Sequence, residues 1–485
     1  MTCALRSRFR LRSSAAAAAT LLGCLIAGCS SESPEVANLT QGVWAGDGGP
    51  DTFLFELDGT PPDSLFGTVH VMRDGRMDSE LAITRASYRP PDIEMFIEST
   101  GARYEGSVDA ARGRIQGSLS FDGQSGPDMD LRWVDPTELP GFAARAEDTP
   151  YTYVRPPQGI DGWQTATPED VGLDRGALER LVNAVARGEA GLIHSLHVVR
   201  GGKLVLDEHF HGYGPDDLHR LASTTKSISS LLVGIAIDRG LIPGVNEPLL
   251  PLLGLSEDGT GRWSEETLAD LLTMTMGLDW TAKETDAVHG TGPAFFRQVL
   301  HRQVVAVPGT KWEYASANVN LLAGVIFRAT GQQADTFAQE ALFEPLGITA
   351  HDWTYGKEGG YVLMDGSLHL RPRDLAKVGA MVAAGGAWNG RQVISREWIR
   401  ESTASHVATG QLPALNGYGY LWWTGELQSS RGLQPVVVAN GRGSQFIVIL
   451  PGLDMVVVTT GGNDDNGRHL DFGGVLTETL LASLS

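Results

Sequence analysis

The chain has 485 residues and a formal net charge of −20 at neutral pH. That acidity argues against a nucleic-acid partner and against a polybasic grip on anionic lipid. The cysteines are Cys3, Cys24 and Cys29 alone, so the rest of the chain has no thiols for disulfides or thiolate metal sites. Its length is ample for stability from a buried core.

Residues 1–28 carry Arg6, Arg8, Arg10 and Arg12, then an Ala/Leu-rich apolar stretch, and no acidic residue. This is the layout of a secretory signal. Its end, Leu25-Ile26-Ala27-Gly28-Cys29, followed by Ser30-Ser31, resembles a bacterial lipoprotein signal. The resemblance implies that Cys29 becomes the lipidated first residue of an exported, envelope-located protein, on the outer membrane where the organism has one. An ordinary cleaved signal or an N-terminal membrane anchor is the alternative. Residues 29–38 would then be a tether, and losing four arginines would take the charge from −20 to −24. No later apolar run reaches the roughly 18 residues that a transmembrane helix needs.

From 39 to 135 the apolar residues alternate with period two, which predicts strands. Phe53/Phe55/Leu57, Val69/Val71, Leu81/Ile83, Ile93/Met95/Ile97 and Met129/Leu131/Trp133 each share a face, with turn signals at Asp58-Gly59, Asp74-Gly75, Pro90-Pro91 and Asp122-Gly123. A small antiparallel barrel or sandwich of about six to eight strands is expected. It shows no catalytic constellation. Its open roles are positioning off a membrane, shaping a cleft wall, or meeting a protein or cell-wall partner.

Residues 136–168 are rich in Pro and Gly and read as a linker wrapping onto a domain at 169–485. There Asp174 caps a helix with Leu178, Leu181, Val182 and Val185 on one face. Strands Ile193–Val199 and Leu204–Phe210 follow as a hairpin through Gly201-Gly202. A second pair, Gln445–Leu450 and Met455–Thr460, precedes a closing helix near 470–484. Strands from both ends around a helical middle predict one α+β domain.

Between them lies Ser223-Thr224-Thr225-Lys226. With six lysines in the chain, about 0.4 Ser-x-x-Lys pairs are expected by chance. The spacing puts both side chains on one helix face. Ile228, Leu231, Leu232 and Ile235 follow at helical positions, and Gly240 supplies a C-cap. A serine hydroxyl near the start of a buried helix, with an amine one turn away, has the adjacent base that makes it a nucleophile.

Further segments follow in order. They are Leu218-His219-Arg220, Leu271-Leu272-Thr273-Met274-Thr275-Met276-Gly277-Leu278-Asp279-Trp280, Pro308-Gly309-Thr310-Lys311-Trp312-Glu313-Tyr314-Ala315-Ser316, Arg371-Pro372-Arg373-Asp374, Tyr418-Gly419-Tyr420-Leu421-Trp422-Trp423 and Ala439-Asn440-Gly441-Arg442. Together, over roughly 160–485, they resemble the serine β-lactamase and penicillin-binding-protein superfamily. Within it they are most similar to class C β-lactamase-like esterases and 6-aminohexanoate-dimer hydrolases; Ser-x-x-Lys is a signature of that superfamily.

The resemblance implies Ser223 as the acylated nucleophile, Lys226 as its proton partner, and Tyr314 as general base and then acid. Ser316 supports the site where many relatives carry Asn. The backbone N–H groups of Ser223 and Arg442 would hold the oxyanion, Arg442 following the strand motif Ala439-Asn440-Gly441. Tyr420 and Trp422-Trp423 read as core or cleft wall, and Trp280, Tyr420 and Trp422 are the candidates for touching substrate in a pocket.

That motif departs from the family's Lys-Thr-Gly, so the cation that grips a β-lactam or peptidoglycan carboxylate is absent, and Arg442 would replace it in part. The expectation is therefore an ester or amide hydrolase working through an acyl-enzyme on small-molecule or peptide-like substrates. A true β-lactamase or D-Ala-D-Ala peptidase ranks below it, as does a non-catalytic interaction lipoprotein. No cofactor is expected. His209 and His211 fall on one strand face with His194 and His197 nearby, but no spacing supplies a distant further metal ligand, so packed histidines are expected.

Overall fold

The computed structural model describes residues 42–121, 123–145, 150–159, 161–255, 266–279, 291–356, 360–464 and 467–484. The signal segment, Cys29, its tether and Trp280 lie outside the described residues. The chain divides into two compact units, 1–146 and 147–485. No helix among the described residues is long and apolar enough to cross a membrane.

The first unit consists of strands β1 (Val43–Gly48), β2 (Asp51–Thr60), β3 (Ser64–Arg73), β4 (Arg76–Arg89), β5 (Asp92–Ile97), β6 (Ala102–Asp109), β7 (Arg114–Phe121), β8 (Gln124–Asp128) and β9 (Leu131–Val134). Their order is β6-β5-β4-β3-β2-β1-β9-β7, and a β6–β7 pairing closes the ring into an eight-stranded antiparallel barrel, with β8 hanging from β7. Trp44, Phe55, Ile93, Tyr104 and Ile115 belong to its core. β6 and β7 carry weak sequence signals because each has a glycine in the middle. Gly106 and Gly117 face each other in register, and a Cβ on Gly117 would lie 2.5 Å from the Tyr104 hydroxyl oxygen. The glycines make room for Tyr104, whose hydroxyl donates to the Met129 carbonyl at 2.9 Å inside the barrel.

The second unit adds β10 (Ile193–Arg200), β11 (Lys203–His209), β12 (His219–Arg220), β13 (His351–Trp353), β14 (Leu368–Leu370), β15 (Ala387–Trp388) and β16 (Arg391–Gln392). It continues with β17 (Val407–Ala408), β18 (Gly417–Tyr418), β19 (Trp423–Ser429), β20 (Gly432–Gly441), β21 (Gln445–Leu450) and β22 (Met455–Gly461). The main sheet has eight antiparallel strands in the order β11-β10-β22-β21-β20-β19-β18-β17, so the first hairpin of the unit joins its last strand. Gly201 and Gly202, both at positive φ, make the tight β10–β11 turn.

Helix Pro372–Ala383 covers one face of this sheet, and Gly379 lets it approach. A Cβ there would meet Ile447 and Val456 at 2.8 Å each. Helix Arg175–Ala186 starts at an Asp174 cap that accepts from Gly176 and Ala177, and packs on helix Asp471–Thr479. Helix Thr224–Asp238 is buried from Thr224 to Ala236. Its hydroxyls fasten it to other segments: Thr224 to the Gln445 carbonyl (2.7 Å), Ser227 to Leu421 (2.6 Å) and Ser229 to Met364 (2.8 Å). The Pro-rich stretch is anchored too, since Tyr151, Tyr153 and Trp163 are buried.

Under helix Pro372–Ala383, Lys377 is fully buried, 2.7 Å from Asp374. Removing one partner of such a pair leaves an uncompensated buried charge, at a cost of about 3–5 kcal/mol. Asp374→Leu should therefore lower the unfolding free energy of the second unit by about that amount, read as a lower midpoint in a urea titration. An unchanged midpoint would mean that the Gly347 carbonyl, 3.2 Å from the Lys377 amine, suffices alone.

Candidate active site

Ser223 sits where the chain turns from β12 into the buried helix. Ala222, just before it, has φ 45°, a left-handed conformation rare for a residue with a side chain. Ser223 itself is helical, and its hydroxyl accepts no helix-capping hydrogen bond. The amides of Thr224, Thr225 and Lys226 donate to the carbonyls of Leu221, Ala222 and Ser223. Among the described residues the Ser223 N–H has no protein acceptor, as expected of an amide at a helix start.

Lys226 is 2% exposed, and its amine faces two acceptors. It donates to Ser223 Oγ at 2.8 Å and to the Asp365 carbonyl at 2.5 Å, and it lies 5.3 Å from the centre of the Tyr314 ring. Among the described residues it has no carboxylate ion pair. Tyr314 is set by a cluster of aromatic rings: it stacks on Trp423 at 6.0 Å and meets Trp312 at 6.2 Å. Trp312 and Trp423 in turn pack on Tyr418, at 5.7 and 5.1 Å. Burial, with the neighbouring Tyr314, pushes the Tyr418 phenol well above its ordinary range.

These groups open onto a cleft of about 650 Å³ lined by Ser223, Lys226, Tyr314, Ser316, Trp423, Asn440 and Arg442, with Arg220, Asp464 and His469 at its wall. Arg220 binds Asp464 at 2.9 Å. His469 holds the Asn440 amide at 2.8 Å, and burial together with Arg442 lowers its pKa to about 4. The cleft thus brings together the expected Ser223, Lys226, Tyr314, Ser316, Asn440 and Arg442. Asp365, Asp464 and His469 were not singled out from sequence, because nothing local marks a backbone carbonyl or a contact between distant segments.

Three expectations need correction. Trp422 is fully buried, and Tyr420 is packed against Trp398 and His406; both belong to the core. Both lie with Leu421, at φ 63°, in the turn between β18 and β19, and Trp423 at the start of β19 is the aromatic of this segment that lines the cleft. Ala439 is also fully buried and does not line the cleft, so a lysine there would be a buried charge rather than a surface one.

The third concerns the histidines. β11 ends at His209, and His211 turns away at φ 56°. The close group is instead His197, Asp207 and His209, whose ligand atoms lie within 4.8 Å of one another. Asp207 lies two residues before His209 on β11, so the third group comes from the same strand and not from a distant segment. Burial alone would raise its pKa, but the two imidazoles and Arg373, bonded to the carboxylate, hold it far below the usual range. A guanidinium fixed on that carboxylate competes with any cation for it.

A nucleophile-bearing helix start, a buried lysine against the hydroxyl and a tyrosine across the cleft define a Ser-x-x-Lys serine hydrolase. The family model described as Beta-lactamase matches residues 181–469, and the chain belongs to the beta-lactamase family. It is 26% identical to the 6-aminohexanoate-dimer hydrolase of Paenarthrobacter ureafaciens over 344 residues, covering 65% of this chain and 84% of that protein. Two solved structures share the fold. A candidate 6-aminohexanoate-dimer hydrolase from Bacillus anthracis has a TM-score of 0.50 at 20% identity, covering 60% of this chain and 80% of that one. A candidate beta-lactamase from Bacteroides dorei has 0.52 at 16%, covering 63% and 99%.

Gly441 lets β20 reach the nucleophile turn. A Cβ there would lie 2.3 Å from the Leu221 carbonyl oxygen and 2.9 Å from the Thr224 nitrogen, both backbone atoms. Gly441→Ala should push strand and helix start apart, lowering kcat/KM by at least about 100-fold for a ~1 Å displacement while far-UV circular dichroism stays native. Wild-type turnover in this variant would show that the two segments need not be in contact.

Proposed function

We propose that the protein is an exported, lipid-anchored hydrolase that cleaves a carboxylic ester or amide through a Ser223 acyl-enzyme. The observation that carries the reading is the Lys226 amine 2.8 Å from Ser223 Oγ at the floor of the cleft. In this reading Ser223 Oγ attacks the substrate carbonyl and its proton passes to the Lys226–Tyr314 pair. The Ser223 and Arg442 N–H groups receive the oxyanion. Tyr314 returns the proton to the departing alcohol or amine, and water then releases the acid and regenerates the serine. Similarity to a 6-aminohexanoate-dimer hydrolase supports the substrate class.

Ser223→Ala should abolish fluorophosphonate labelling and lower turnover of p-nitrophenyl esters by several orders of magnitude. Lys226→Ala and Tyr314→Phe should each cost about 10²–10⁴-fold, with the double variant losing less than the product because the two act as one relay. Full turnover by Ser223→Ala, or a nitrocefin kcat/KM above that of every ester and amide tested, would overturn the assignment.

The anchor rests on the Ile26-Ala27-Gly28-Cys29 segment. Cys29→Ala should move the protein from the membrane to the soluble exported fraction or stall its processing, as read by fractionation and intact mass. Continued membrane attachment would point to an uncleaved N-terminal helix.

A further inference from the structure

Asn440 stands where the family motif has its central residue, and its side chain is locked from behind. The Ser444 backbone N–H donates to His469 Nδ1 at 3.0 Å. A backbone amide can only donate, so Nδ1 carries the lone pair and the ring proton is on Nε2. His469 Nε2 lies 2.8 Å from Asn440 Oδ1, which makes that oxygen the acceptor. The orientation of the Asn440 amide thus follows from the network. Its Nδ2 hydrogens have no protein acceptor among the described residues, and Asn440 lines the cleft with Ser223.

The relay is itself braced. Ser444 holds φ 67° at the bend between β20 and β21. Its hydroxyl donates to the His469 carbonyl at 2.8 Å and accepts from Asn463 at 3.0 Å. The His469 ring packs on Phe446 at 5.3 Å. Burial and the nearby Arg442 keep that ring neutral at working pH, with its pKa lowered to about 4.

We propose that Asn440, oriented by His469, is a specificity-determining donor that reads an uncharged carbonyl oxygen of the substrate beyond the scissile bond. This rests on the acyl-enzyme reading and names its substrate class: acyl groups or leaving groups that carry a second amide or ester carbonyl. A locked NH₂ edge rewards such an acceptor, whereas a lysine at the motif rewards a carboxylate. His469 is a positioning residue, because it acts through Asn440.

The test compares p-nitrophenyl butyrate, which has only the scissile carbonyl, with p-nitrophenyl N-acetylglycinate and with the butyryl ester of glycolamide. These place the second carbonyl on the acyl side and the leaving side. In Asn440→Asp, the kcat/KM ratio of one acceptor-bearing ester to plain butyrate should fall about tenfold or more, the size of one lost hydrogen bond. His469→Phe, which retains an aromatic ring on Phe446 but has no N–H, should lower the same ratio. His469→Gln, which restores a donor, should recover part of it.

Equal losses on all three esters, or an unchanged ratio in Asn440→Asp, would overturn the proposal. So would a fall in His469→Phe that His469→Gln does not relieve. Failure of the acyl-enzyme reading is separately visible, since wild-type protein would then take no fluorophosphonate label at Ser223 and turn over none of the esters.

Discussion

A lysine amine buried between a serine hydroxyl and a backbone carbonyl is the constraint on which the rest of this hydrolase unit depends. Burying a charge or a strong donor is costly unless its hydrogen bonds are met. Here Ser223 Oγ and the Asp365 carbonyl meet them. Both partners must then stay within tenths of an ångström. That explains why the helix behind Ser223 carries hydroxyls that bond to Gln445, Leu421 and Met364. A helix held by apolar contacts alone could slide; one fastened to three separate segments cannot do so without breaking bonds.

The same economy of distance shapes the strand opposite. Gly441 allows β20 to touch the turn that bears Ser223, and the next residues bend through Gly443 and Ser444, both at positive φ. That bend carries Arg442 to the cleft and aims the Ser444 amide at His469. Close approach, positive φ and side-chain orientation thus meet in the four residues Gly441 to Ser444, facing the left-handed Ala222 across the nucleophile turn.

What the sequence made legible was local or periodic. The Ser223/Lys226 spacing, the Asp174 cap, the Gly201-Gly202 turn and the alternating barrel strands each lie within a dozen residues. The family resemblance added Tyr314 and the order of the motifs. What stayed hidden was non-local: the Asp365 carbonyl is 139 residues from Lys226, and His469 is 29 from Asn440. The misplaced tryptophan has a local cause with no sequence marker. A left-handed Leu421 shapes the turn between β18 and β19 that tucks Trp422 inward, and leucine gives no hint of positive φ.

The barrel has a consequence of a different kind. Eight-stranded barrels can be wide enough to enclose one small ligand. This one spends its interior on Trp44, Phe55, Tyr104 and their neighbours, and β6–β7 closure leaves its ring no open edge for an added strand. Neither small-molecule storage nor strand donation into the ring is open to it. What the barrel presents is the outer face of its staves and the loops at its rims, so a substitution on those surfaces leaves the packed interior untouched.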